Sequence, residues 1–179
     1  MKNEKLIILG KSGSGKSYLL RKIIEKDLKP CLKCTTRPMR KFEKNGIDYN
    51  FLTEEQFFNL INDKKLIVYE KFTVTPIDRE QEVWYYGITY DEFKIAQAFI
   101  MTVGEFSKLP EENRKDCFVV YLDIDRKTRE SRLLNRKDNN DSIIRRLDAD
   151  EIDFQNFTDY DLKISDPDFD VDDIYSLMD

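Results

Sequence analysis

Short apolar runs alternate along the chain with segments that carry one apolar face at helical spacing. The run KLIIL at residues 5–9 predicts a buried strand, and the segment from Ser17 to about residue 27 predicts a helix. The runs AFIMTV and CFVVYL, at 98–103 and 117–122, predict core strands because they are rich in β-branched and aromatic residues. Since strands and helices alternate over short connections, we expect an α/β fold with a largely parallel sheet.

Two sequences have the spacing of a capping box, which marks the start of a helix. They begin at Thr53 and at Thr89, each followed three residues later by a glutamine or glutamate. Asp123 and Asp125 follow a predicted core strand and are interpreted as a start signal for another helix. The remaining predicted elements are strands at 66–70, 82–89 and 161–165, and helices at 126–135, from about 142 and in the last ten residues.

Composition narrows the classes of function. A chain of 179 residues fits one domain, and its formal net charge of −5 argues against a general nucleic-acid binder. No apolar run is long enough to cross a bilayer and no signal peptide is visible, so we expect a cytoplasmic protein without membrane contact. The absence of histidine excludes an imidazole base, and Cys31, Cys34 and Cys117 are expected to be reduced thiols.

The segment GKSGSGKS at residues 10–17 fits the phosphate-binding pattern G-x-x-x-x-G-K-[ST], with a predicted strand before it and a helix after it. Glycines allow backbone N–H groups to surround phosphate oxygens, and the helix N-terminus favours the same negative charge. An ordinary glycine-rich turn is the alternative. We expect an ATP site with Mg²⁺ bound by the Ser17 hydroxyl. The predicted ATP-binding residues are Gly10, Ser12, Gly13, Ser14, Gly15, Lys16, Ser17 and Tyr18.

A second segment, CTTRPMRKFEKNGIDYNF at residues 34–51, indicates where the phosphoryl group goes. Its T-T-R-P-x-R and N-G-x-D-Y-x-F patterns closely resemble the monophosphate-binding segment of guanylate kinases. In physical terms, Arg37 and Arg40 with the Tyr49 hydroxyl can clamp a phosphate dianion. A solvated basic turn is the alternative for the two arginines alone.

The resemblance to guanylate kinases covers most of the chain. It includes Tyr86-Gly87-x-Thr89 and the arginines of R-L-x-x-R at 132–136 and R-R-L at 145–147, which resemble a lid that closes over the phosphoryl group. No general base is needed, because the acceptor is already an anion. The implied substrate-binding residues are Lys33, Thr36, Arg37, Arg40, Tyr49, Glu70, Tyr86, Gly87 and Thr89. The implied catalytic residues are Lys16, Arg37, Arg132, Arg136 and Arg146.

The resemblance also implies an architecture, the three-layer fold of P-loop NTPases with a parallel core sheet, a small inserted monophosphate-binding lobe and a lid. We expect one domain over 1–179, monomeric or weakly homodimeric. Its expected parts are a core at about 1–32, 90–124 and 147–179, the lobe at about 33–89 and the lid at about 125–146.

The departures from the family pattern lie mainly at positions expected to recognise the nucleobase of the monophosphate. Lys33 stands where guanylate kinases usually have serine, and Val68 where a glutamate usually reads guanine, with Glu70 two residues further on. Ile88 replaces a small hydroxyl residue next to Thr89. The strand at 98–103 lacks the Asp-x-Asp with which the family's strand normally ends.

We therefore expect a nucleoside monophosphate kinase that uses ATP and Mg²⁺ to phosphorylate GMP or dGMP. A kinase with another base preference and a catalytically weak interaction module, as in scaffold proteins, are the alternatives. The intact phosphate-loop pattern favours the enzyme. A nucleic-acid end kinase is disfavoured by the acidic charge and by the fit of residues 34–51.

Overall fold

The computed structural model describes residues 5–74, 80–135 and 143–177. The strands are β1 (Lys5–Gly10), β2 (Cys34–Thr35), β3 (Asn50–Phe51), β4 (Leu66–Val74), β5 (Glu82–Thr89), β6 (Ala98–Ile100), β7 (Cys117–Leu122) and β8 (Leu162–Ile164). The helices are α1 (Lys16–Ile24), α2 (Glu54–Asn62), α3 (Tyr90–Ile95), α4 (Val103–Lys108), α5 (Glu111–Arg114), α6 (Arg126–Asn135), α7 (Ile143–Asp153) and α8 (Val171–Leu177).

The core sheet has four parallel strands in the order β6-β1-β7-β8. Strand β1 lies in its interior, where Leu6 aligns with Ala98 of β6 and with Phe118 of β7. Since the strand order reverses beside β1, the carboxyl end of this strand opens into the crevice where α/β proteins bind ligands. The parallel α/β fold expected from the sequence is confirmed.

Both faces of the core sheet are buried. Leu6 and Ile8 of β1 pack with residues of α1 and α8, whereas the alternate residues Ile7 and Leu9 pack into a separate cluster on the other face. That second cluster includes Phe93 of α3, Phe106 of α4 and Phe154 just after α7. Helices on both faces of a parallel sheet give the expected three-layer arrangement.

A second sheet, with strand order β3-β2-β5-β4, is formed by residues between 34 and 89. Strands β4 and β5 are antiparallel and pair from Leu66↔Thr89 to Val74↔Glu82. The short β2 joins β5 on its other side. The connection between β2 and β3 contains Arg37, Arg40 and Tyr49, the residues of the expected monophosphate clamp.

The predicted strand at 98–103 is too long. Strand β6 ends at Ile100, and Thr102 starts helix α4 because its hydroxyl accepts from Glu105 N–H while the Glu105 carboxylate accepts from Thr102 N–H. This is a capping box that the apolar run concealed. The sequence also failed to predict the short elements α4, α5, β2 and β3.

The other helix-start signals have mixed outcomes. The capping box at Thr53 is confirmed in full. At Thr89 the hydroxyl accepts from Glu92 N–H, but the Glu92 side chain accepts from Leu32 N–H instead of closing the box. Asp125 accepts from Thr128 N–H at the start of α6, as expected, whereas Asp123 accepts from the Tyr121 hydroxyl and pairs with Lys163. Across the described ranges, no helix is both long and apolar enough to span a membrane.

Candidate active site

The segment Gly10–Ser17 forms a tight loop between the carboxyl end of β1 and the start of α1. Gly13 and Gly15 have φ values of 79° and 107°, and a Cβ on Gly13 would collide with the Arg129 carbonyl. The Lys16 ammonium folds back onto the loop and donates to the carbonyls of Gly10 and Lys11, at 2.6 and 3.0 Å. The loop therefore has the conformation and the cation that phosphate binding requires.

Helix α7 braces this loop from outside. Ser12 N–H donates to Asp150 Oδ2 at 2.7 Å, and the Lys11 ammonium lies 2.6 Å from Glu151 Oε2. The fully buried Arg129 of α6 binds Glu151 and the carbonyl oxygens of Ile124 and Ser12. This arginine was not among the residues predicted from the sequence. Its only signal was its position four residues before Leu133 on the buried face of α6.

The predicted lid arginines have three outcomes. Arg132 donates to the loop carbonyls of Gly13 and Ser14, at 3.4 and 3.3 Å, so it lies against the phosphate loop. Arg146 of α7 lines a cleft beside the same loop. Arg136 lies outside the described residues.

Arg37 lies two residues after the end of β2, beside the second sheet. Its side chain is only 5% exposed, and its two terminal nitrogens donate to the two oxygens of Glu43 at 3.0 and 2.8 Å. Burial alone would raise the Glu43 pKa, but hydrogen bonds from Arg37 and from Arg40 N–H hold that pKa below its ordinary value. The Glu43 carboxylate therefore occupies the guanidinium fork of Arg37 in bidentate geometry.

Two tyrosines complete the surroundings of this arginine. The Tyr49 ring lies 5.4 Å from the Arg37 guanidinium and packs edge-on against Tyr86, with ring centroids 6.0 Å apart. Burial raises the pKa of Tyr86 despite the opposing charge of Arg37, so its hydroxyl stays a proton donor at neutral pH. Arg40 is exposed at the rim of the same loop. The structure thus brings together Arg37, Tyr49 and Tyr86.

A cleft of about 290 Å³ joins the phosphate loop to the second sheet. One side is formed by the loop, including Lys16 and Ser17, and the other by Lys33 and Tyr49. Tyr18 faces away from it and packs edge-on against Phe169, with centroids 6.2 Å apart. The cleft thus extends from the phosphate loop to Tyr49, one residue of the predicted monophosphate clamp.

The remaining predicted substrate residues are engaged in local structure. Thr36 Oγ1 accepts from Tyr85 N–H at 2.9 Å, Thr89 caps α3, and Gly87 packs against Phe57. Their roles toward a substrate stay predictions.

Glu70 is engaged as well. Its Oε2 accepts from the Thr102 hydroxyl at 2.5 Å and its Oε1 lies 3.0 Å from the Lys108 ammonium, both at helix α4. The two positions that depart most from the family pattern, Val68 and Ile88, are buried in the core. The predicted contact of Glu70 with guanine is untested.

Comparison with known proteins agrees with this geometry. A family model described as guanylate kinase matches residues 2–77. A guanylate kinase of Legionella pneumophila (strain Paris) is 27% identical over 170 residues, which cover 91% of this chain and 78% of that protein. A guanylate kinase of Campylobacter jejuni (strain RM1221) is 35% identical over 105 residues, about half of each chain. The crystal structure of guanylate kinase from Anaplasma phagocytophilum superposes with a TM-score of 0.63 at 18% identity, covering 99% of this chain and 84% of that one, and so shares the fold.

Proposed function

We propose that this chain acts as a member of the guanylate kinase family and transfers the γ-phosphoryl group of ATP to GMP or dGMP, as its similarity to guanylate kinases in sequence and fold suggests. The products are ADP and GDP or dGDP. The observation that carries the proposal is the cleft that joins the phosphate loop to Tyr49 and, through it, to Arg37.

ATP binds at the phosphate loop. Backbone N–H groups of Gly13–Ser17 and the N-terminus of α1 hold its phosphates, while Lys16 exchanges its loop carbonyls for β- and γ-phosphate oxygens. In this proposal Arg132, which lies against the phosphate loop, and Arg146, which lines the cleft, stabilise the charge that spreads over the transferring group.

The monophosphate binds in the lobe at about 33–89. Its phosphate dianion binds to the guanidinium fork of Arg37, where it either displaces the Glu43 carboxylate or shares Arg37 with it. The Tyr86 hydroxyl is a further hydrogen-bond donor to the phosphate. The acceptor oxygen needs no base, so catalysis consists of holding the two phosphates in line within a cleft lined by cations.

In this proposal Mg²⁺ is held mainly by the phosphates of the nucleotide rather than by a cluster of protein ligands. Within the described ranges, no group of three or more acidic or cysteine side chains could hold a metal ion. Ser17 lies on the cleft at the start of α1, where its hydroxyl can supply one ligand. Phosphate oxygens and water would supply the other ligands, as is usual for this ion, and its charge would offset that of the phosphates.

One substitution distinguishes the monophosphate site from the ATP site. Arg37→Lys keeps the charge but loses the bidentate fork, so GMP affinity should fall about tenfold to a hundredfold while ATP affinity changes little. Isothermal titration with each nucleotide measures both. Lys41→Ala, an exposed cation in the same loop, is the matched control and should change neither affinity. Weaker ATP binding with unchanged GMP binding in Arg37→Lys would show that the sites are assigned the wrong way round.

A further inference from the structure

Lys33 faces the cleft as part of a buried ion pair. Its side chain is 13% exposed, and its ammonium lies 2.6 Å from Oε2 of Glu105, which is 1% exposed. The same Glu105 oxygen accepts from Thr102 N–H at 2.9 Å, which fixes the carboxylate at the start of α4. Burial works against the charged form of Lys33, but the attraction of Glu105 prevails and raises the Lys33 pKa. The cleft therefore contains a cation whose position is set by a buried carboxylate.

This ammonium can donate further hydrogen bonds without breaking its ion pair. It carries three N–H donors, and Glu105 accepts from one of them in the part of the chain that the structure describes. Lys16, by contrast, has to exchange the carbonyls of Gly10 and Lys11 before it can bind a phosphate. Lys33 is therefore ready to bind an anion that enters the cleft.

The size of the cleft indicates which part of the substrates Lys33 meets. Its volume of about 290 Å³ is just below the range of about 300–1,000 Å³ that is usual for sites holding a whole small molecule. Lys16 and Ser17 line it from the phosphate loop, and Tyr49, whose ring packs on Arg37, lines it together with Lys33. In the proposed function, the γ-phosphate enters this space from the loop and the acceptor phosphate enters it from the side of Tyr49. Lys33 thus faces the reacting phosphates.

A fixed cation at this place acts on the transfer step. An acceptor oxygen forms a bond to the γ-phosphorus, the bond from that phosphorus to the β–γ bridging oxygen breaks, and ADP leaves with the electron pair. The two phosphates repel each other as they approach, and charge spreads over the equatorial oxygens of the transferring group. A cation that needs no reorganisation stabilises this arrangement more than it stabilises the separate substrates.

Resting on the proposed function, we infer that Lys33 is a further catalytic residue, whose ammonium donates to the transferring phosphoryl group as that group meets the acceptor phosphate. Lys33 stays protonated throughout, and Glu105 holds its ammonium in the cleft.

Kinetics combined with binding measurements separate this role from a structural one. In Lys33→Met, kcat with GMP should fall about a hundredfold, whereas the dissociation constants of ATP and of GMP, each measured alone, should rise less than about tenfold. The double variant Lys33→Met/Glu105→Gln leaves no unpaired buried charge, so it should be more stable than Lys33→Met but no more active. Lys65→Met, in the exposed pair with Asp63, is the matched control and should keep the wild-type kcat.

A second measurement does not depend on turnover. ADP with Mg²⁺ and aluminium fluoride imitates the transferring phosphoryl group, so GMP should bind to the wild-type protein more tightly in the presence of this mixture than alone. Lys33→Met should lose most of this gain, because the missing ammonium acts on the transferring group. Lys65→Met should keep it.

Three results would overturn the inference while GDP formation by the wild type upholds the proposed function. They are a kcat of Lys33→Met within about threefold of the wild type, recovery of turnover together with stability in the double variant, and weaker GMP binding with unchanged kcat. The second would make Lys33 a residue of the fold, and the third would make it a residue of substrate binding only. A wild-type protein that binds ATP and GMP but forms no GDP would refute the proposed function, and the inference with it.

Discussion

Replacing Arg129 with methionine should destabilise the protein and loosen its phosphate loop. Arg129 is fully buried between α6, α7 and the loop, and it donates to the carbonyls of Ile124 and Ser12 at 2.9 and 3.4 Å. It also binds the Glu151 carboxylate. Methionine fills much of the same space but donates no hydrogen bond. The carbonyl oxygens and Glu151 therefore lose a charged partner.

The size of the effect follows from the surroundings of each partner. Breaking a buried ion pair costs about 3–5 kcal/mol when the remaining charge is stranded. Glu151 is not stranded, because its side chain is 39% exposed and Lys11 remains 2.6 Å away. The two carbonyls lose charged donors, which adds to the cost. We expect a loss of about 3 kcal/mol in the free energy of unfolding, equivalent to about 6–12 °C in Tm for a domain of this size.

Denaturant unfolding and calorimetry measure this loss of stability. Titration with ATP, at a temperature where the wild type and Arg129→Met are both folded, measures the affinity of the phosphate loop for ATP. Arg126→Met is the matched control, because Arg126 joins the same two helices through an exposed pair with Asp148 at 2.7 Å. That variant should lose less than about 1 kcal/mol. If Arg129→Met were no less stable than this control, or bound ATP as tightly as the wild type, the bracing role of Arg129 would be refuted.

Two further substitutions probe the donor and acceptor sites. Lys16→Ala should leave the fold intact by circular dichroism but lower turnover at least about a hundredfold, since it removes a cation aimed at the transferring phosphates; near-normal turnover would exclude that role. Because the folded-state pKa of Glu43 is lowered, its pair with Arg37 stabilises the protein above the ordinary glutamate pKa and loses this effect as pH falls through the lowered value. Unfolding measured from neutral pH to about pH 3 should depend less steeply on pH in Glu43→Gln; equal slopes would contradict this.

The sequence predicted the core sheet well because strands β1, β6 and β7 coincide with apolar runs. Strand β7 and helix α6 begin and end at the predicted residues, and β5 does as well. Prediction from the sequence failed where an element is short, or where a polar helix-capping residue lies inside an apolar run. Strand β2 has two residues, too few for any period, and the Thr102 cap was hidden at the end of AFIMTV.

The phosphate-binding parts of the site were predictable because their chemistry fixes residue types at fixed spacing. Long-range ion pairs were not, since nothing in the sequence links Lys33 to Glu105, 72 residues away. The same holds for Arg129 and Glu151, whose pairing depends on how α6 and α7 pack. The engagement of Glu70 by α4 likewise appears only once the second sheet is placed against the core.

Phosphoryl transfer itself is the most direct test of the proposed activity. Protein, Mg²⁺ and ATP labelled in the γ-phosphate should convert GMP and dGMP to the labelled diphosphates, with one ADP formed for each. Faster conversion of thymidine, cytidine or adenosine monophosphate would keep the kinase but contradict the base assignment. If ATP binds and no monophosphate of this panel accepts the label, the chain is not a nucleoside monophosphate kinase, and a catalytically weak interaction module becomes the better assignment.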